Sequence, residues 1–148
     1  MGSPAQGAEE RLTLAVDVAE IARAGAWARE VAARLAVPAS ALFAVDLCLE
    51  EALSNTIRYG FTDPPPENAV LRLTFAREAS ALRVTIDDNA APFDPCAAAD
   101  PAMPTDLATA NVGGLGIHLM RNFTESMVYE RVDGLNRLTL RFTIDADA

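Results

Sequence analysis

Apolar and polar positions change period several times along the chain, and each change marks an element. Leu12, Leu14 and Val16 alternate with Arg11, Thr13 and Ala15, the period of a half-buried strand. Over residues 19–36 apolar positions recur at helical spacing through Ile21, Ala24, Trp27 (or Ala28), Val31 and Leu35, until Pro38 stops the run. Ser40 is placed to cap a second helix reaching about Tyr59, with Leu42, Val45, Leu49, Leu53 and Ile57 on its apolar stripe and Gly60 as its stop. The run Thr62-Asp63-Pro64-Pro65-Pro66 forces a loop. Strand patterns follow at 70–76 and 82–88, and the short polar link between them reads as a hairpin turn, which makes antiparallel pairing economical. Residues 90–112 are a Pro, Ala and Asp mixture without sustained periodicity, long for a loop in a compact domain and so expected to be functional or mobile. A helix over 115–123 and strands at 126–131 and 136–144, joined by Val132-Asp133-Gly134, complete the pattern. This order predicts a two-layer α/β sandwich, a mixed and mainly antiparallel sheet with helices stacked on one face.

A length of 148 residues suits one domain, with 51% hydrophobic residues to build its core. Residues 1–10 are small, polar and aperiodic and are expected to be a flexible start; residues 11–148 are expected to form the single domain. No apolar run approaches the ~20 residues of a membrane helix. Twelve basic against 21 acidic side chains leave a net charge of −9. That balance argues against binding nucleic acid or an anionic membrane by counterion release, which needs clustered cations. Every basic residue is Arg. The lysine-bearing phosphate loop, the strand lysine of eukaryotic-type kinases and Schiff-base chemistry are thereby excluded. Two cysteines, Cys48 and Cys96, make no disulfide framework, and without a charged-then-apolar leader the expected setting is reducing and cytoplasmic.

Three segments carry unusual chemistry for their place. On the second helix Glu51, Asn55 and Arg58 stand at i, i+4 and i+7, so a carboxylate, an amide and a guanidinium share one stripe. A carboxylate can order or deprotonate a nucleophile, an amide oxygen can hold Mg²⁺, and a guanidinium can bind phosphoryl oxygen, although the same stripe also fits a solvated helix face. Strand alternation puts Asp88 on the face of Val84 and Ile86. A carboxylate following two buried aliphatics inward needs a donor, which the exocyclic amine of adenine would supply; an Asx-turn at the strand end is the alternative. Finally, Asn111-Val112-Gly113-Gly114-Leu115-Gly116 opens a helix with glycines, letting backbone N–H groups approach an anion without a lysine.

Together these segments resemble the Bergerat-type (GHKL) ATP-binding superfamily. Its members carry E-x-x-x-N or N-x-x-x-N on a helix, D-x-G at a strand end and a glycine-rich lid opening a later helix. Here these map to Glu51…Asn55, Asp88…Ala90 and Gly113-Gly114-x-Gly116. Within the superfamily the chain is most similar to the bacterial anti-sigma-factor serine/threonine kinases. Glu51-Ala52-Leu53-Ser54-Asn55, Pro92-Phe93-Asp94-Pro95, Gly113-Gly114-Leu115-Gly116-Ile117 and Tyr129-Glu130-Arg131 through Asn136-Arg137-Leu138-Thr139-Leu140 carry that likeness, which spans roughly residues 11–144.

The resemblance implies an ATP-dependent serine/threonine kinase that doubles as an anti-sigma factor. Its substrate would be an anti-anti-sigma (STAS-type) protein, its other partner a sigma factor or equivalent regulator, and its form a homodimer. It makes Glu51 the general base, Asn55 the Mg²⁺ ligand, Asp88 the adenine reader, and Gly114 and Gly116 the phosphate-facing lid glycines. Arg58 matches a basic position of the related histidine kinases, and Asn136 could flank adenine. One departure stands out: Ala90 replaces the glycine of D-x-G, which puts the affinity for ATP in question if that backbone needs positive φ. Two rivals share the same fold, a nucleotide-gated protein-binding module without phosphotransfer and a slow ATPase.

Overall fold

The computed structural model describes residues 8–97 and 114–144. Five strands form one sheet: β1 (Glu9–Thr13), β2 (Leu71–Glu78), β3 (Ala81–Asp88), β4 (Ser126–Val132) and β5 (Leu135–Thr143). Their order is β1-β2-β3-β5-β4 and every neighbouring pair is antiparallel. Three helices, α1 (Ala19–Arg34), α2 (Ala39–Asn55) and α3 (Gly114–Phe123), supply the second layer. The expected sandwich is thus the observed one, with the sheet antiparallel throughout.

Alternation decides which face the helices cover. Leu71, Leu73 and Phe75 of β2, Leu82, Val84 and Ile86 of β3, and Leu140 and Phe142 of β5 are buried with Ala24, Ala28 and Val31 of α1 and Val45, Leu49 and Leu53 of α2. Trp27 of α1 meets Phe75 edge to face, with ring centroids 5.1 Å apart. The opposite sheet face is polar. Register aligns Arg72, Asp87, Arg137 and Glu130 across four strands, and Asp87 accepts from Arg137 Nε at 2.8 Å and from Arg72 at 3.5 Å.

The turns follow local backbone chemistry. Asp133 and Gly134, with φ of 52° and 80°, join β4 to β5 in the left-handed geometry that two-residue hairpins prefer, and this pins Arg131 opposite Asn136.

Three boundaries differ from the sequence expectation. Strand β1 starts at Glu9, inside the stretch expected to be flexible, because Glu9 and Glu10 pair with Ala76 and Phe75. Arg34, at the end of α1, also grips the Glu10 carboxylate through Nε and a terminal nitrogen at 2.6–3.1 Å. The second helix begins at Ala39, and Ser40 is not its cap. Pro38, at φ −67° and ψ 149°, takes that place, and its carbonyl accepts the Ala41 N–H at 3.0 Å. After Asn55 the helix widens into a π-helical turn, Thr56–Gly60, before the chain leaves at Phe61. The long segment read as functional or mobile falls, over residues 98–113, outside the described residues.

Candidate nucleotide site

A cavity of about 350 Å³ opens between the C-terminal half of α2, the ends of β3 and β5, and α3. That volume falls at the low end of the range usual for small-molecule sites. Ala52, Ile86, Met120 and Leu138 give it apolar walls, while Asn55, Asp88 and Asn136 bring polar groups. Four residues singled out from sequence therefore line one space: Asn55, Asp88, Ala90 and Asn136.

Asp88 is buried at the far end of β3. Its Oδ1 accepts from Asn136 Nδ2 at 2.8 Å and from the Ala90 N–H at 2.9 Å, so the Asx-turn and the inward orientation both occur. Among the described residues nothing donates to Oδ2. Burial pushes the Asp88 carboxyl above the usual carboxylate range, opposed by the bonds from Asn136 and Ala90 and by the charge of Arg131. A carboxylate with one oxygen fixed and the other without a donor among the described residues suits an amine entering the cavity.

Asn136 lines the cavity, but its amide is already committed. Its Oδ1 accepts from Tyr129 OH at 2.6 Å, Arg131 at 3.1 Å and the Phe93 N–H at 3.4 Å. Its Nδ2 faces Asp88 Oδ1 and the carbonyls of Ala90 and Ala91. Three donors on one side and three acceptors on the other fix the amide in one orientation. Asn136 accordingly supports Asp88 from behind.

Ala90 keeps a negative φ, so no left-handed strain attaches to its methyl group. A Cβ built on Gly60 would come within 3.3 Å of the Ala90 Cβ. The methyl of Ala90 thus fills the notch that Gly60 leaves open.

Glu51 and Gly116 meet. A Cβ on Gly116 would lie 3.0 Å from Glu51 Cδ and would overlap the carboxylate. The missing side chain therefore makes room for Glu51, a relation across two helices that a glycine motif does not disclose. We expect Gly116→Ala to preserve the fold, since a flexible carboxylate can swing aside and Ala favours helix over Gly by about 1 kcal/mol. Any chemistry that depends on where Glu51 lies should fall by at least about tenfold, as the loss of a placed base does. A thermal melt beside a single-turnover assay checks both halves, and a parallel loss in both would refute the reading.

Gly114 begins α3, while Gly113 lies outside the described residues. Arg58 is exposed, bonds Ser54 Oγ through Nε at 3.0 Å and stands apart from the cavity lining. Cys48 lies buried near Glu51, and burial, with the charge of Glu51 adding, pushes its thiol up to about 12. It stays an inert core thiol at neutral pH. In the sequence Tyr129 and Arg131 stand out only as part of the family likeness. Their register opposite Leu138 and Asn136, set by the two-residue turn, was the signal that could have placed them.

The profile of the histidine kinase-like ATPase domain matches residues 14–142. The chain belongs to this family. The serine/threonine-protein kinase BtrW of Bordetella bronchiseptica is 35% identical over 131 residues, which cover 88% of this chain and 91% of that protein. Among solved structures, the RsbU and RsbW domains of Rv1364c from Mycobacterium tuberculosis share the fold, with a TM-score of 0.66 over 93% of this chain at 12% identity. The blue-light activated histidine kinase EL346 of Erythrobacter litoralis matches 73% of the chain at a TM-score of 0.52 and 18% identity. The match covers 32% of each of those two solved chains.

Proposed function

We propose that this histidine kinase-like domain is an ATP-dependent serine/threonine protein kinase acting as an anti-sigma factor. It phosphorylates a small anti-anti-sigma (STAS-type) antagonist and is thereby freed to hold a sigma factor or an equivalent regulator. The observation that carries the nucleotide reading is Asp88, buried at the end of an apolar-walled cavity with no described donor on Oδ2. The kinase reading is supported by the 35% likeness to a named serine/threonine-protein kinase across nearly its whole length.

The residues present fit Mg-ATP. When bound, it supplies the transferable phosphoryl group with its charge partly neutralised. Asp88 accepts from the exocyclic amine of adenine, and Ala52, Ile86, Met120 and Leu138 enclose the base. Asn55 offers an amide oxygen to Mg²⁺, an ion that takes few protein ligands beside phosphates and water. Glu51, one turn earlier on α2, accepts the proton of the serine or threonine hydroxyl of the antagonist. The start of α3 at Gly114 and Gly116 would offer backbone N–H groups to anionic oxygens, as helix N-termini do. The same reading has the kinase working as a homodimer in the cytoplasm.

Incubation with γ-labelled ATP, Mg²⁺ and candidate antagonists tests the proposal. Label on an antagonist serine or threonine is expected. Tight ATP binding without turnover would replace the kinase with a nucleotide-gated binding module, and label released only as free phosphate would replace it with a slow ATPase.

A further inference from the structure

Arg131 stands on β4, opposite Asn136, and points to the helix-covered face of the sheet with Tyr129 and Met127. It donates to the Ala90 carbonyl at 3.0 Å and to Asn136 Oδ1 at 3.1 Å. Through those two bonds one guanidinium ties together the loop after β3 and the amide that holds Asp88. We propose that Arg131 is a positioning residue for the base end of the cavity, locking Asn136 and keeping Asp88 a charged acceptor with Oδ2 free. The inference rests on the nucleotide reading above only for its binding consequence.

The charged surroundings of Asp88 leave Arg131 as the cation that matters. From β3 itself, Asp87 opposes ionisation, but its side chain lies on the other sheet face, paired with Arg72 and Arg137. From α2 and its π-helical turn come the neutral Asn55 and the Tyr59 phenol, from α3 Met120, and from β4 the Tyr129 phenol acting through Asn136. Among the described residues, Arg131 is the cation that favours the ionised form of Asp88, against its burial. Remove the guanidinium, and the proton should stay on Asp88 to higher pH, turning an acceptor for the purine amine into a donor.

The test titrates the Asp88 carboxyl carbon by NMR in ligand-free protein, with Asp88→Asn identifying the resonance. It is run on the unaltered protein, Arg131→Met, Arg131→Lys and Tyr129→Phe. We expect Arg131→Met to move the midpoint upward, Arg131→Lys to return it most of the way, and Tyr129→Phe to leave it near its original place, because the charge remains. ADP affinity near neutral pH should fall roughly tenfold in Arg131→Met, as loss of a charged hydrogen bond in a part-buried network does, and the loss should shrink as pH rises. An unmoved Asp88 midpoint in Arg131→Met overturns the inference whether or not ADP binds. So does an affinity loss of equal size at every pH, the signature of a merely structural role. Failure of the unaltered protein to bind ADP, with the midpoint still moving, overturns the nucleotide reading instead.

Discussion

Glu51→Gln should slow phosphate transfer to the antagonist by about 10²–10⁴-fold while leaving Mg-ATP affinity almost unchanged, the loss usual for a general base. The amide keeps the length and shape that pack beside Gly116, so α2 and α3 should still meet. What it loses is the capacity to take a proton or to orient a hydroxyl as strongly. Asn55→Ala gives the contrast, because an amide oxygen lining the cavity is removed, and Mg-dependent binding should fall together with transfer. Single-turnover transfer beside nucleotide titration separates the two. Transfer at the unaltered rate in Glu51→Gln would remove Glu51 as the base.

Asp88→Asn should weaken ATP by about 1.5–3 kcal/mol, the range for a hydrogen bond to a charged group, or roughly 10- to 150-fold. The new amide can still receive the Ala90 N–H and Asn136 Nδ2 on its oxygen, which points its NH₂ at the purine amine, a donor toward a donor. Guanine nucleotides, with a carbonyl in place of that amine, should lose much less.

The pH dependence has a definite sign. Because burial raises the Asp88 pKa, adenine affinity is full above that raised value and is lost as pH falls through it, at a higher pH than an ordinary carboxylate would give. Asp88→Asn should flatten this fall. The same shift means that the ionised carboxylate costs the folded state stability at neutral pH, so the variant should melt no lower than its parent. Calorimetric titration across pH, with melts alongside, checks all three. Unchanged ATP affinity in Asp88→Asn would take the residue out of the site.

Period-2 alternation was enough to place Asp88 on the inner face, and the helical stripe put Glu51 and Asn55 one turn apart. These follow from local geometry, which a chain carries in its own spacing. Arg58 shows the limit. The i+7 spacing puts it on the stripe of Glu51 and Asn55, but in the structure it lies in the π-helical turn, exposed, bonded to Ser54 and outside the cavity lining. Contacts between distant segments were equally illegible: Glu10 with Arg34, Glu51 with Gly116, and the chain Arg131, Asn136, Asp88. The first made strand of residues that looked aperiodic. The others depend on which elements the sheet order brings side by side, and spacing along the chain does not encode that.

The most direct test of the central claim is the intact mass of a cognate antagonist after incubation with this protein and Mg-ATP, set against the same mixture containing Glu51→Gln. The expected result is an antagonist that gains the mass of one phosphate with the unaltered protein and far more slowly with the variant. An antagonist whose mass never changes, although the protein binds Mg-ATP and the antagonist itself, would contradict the account.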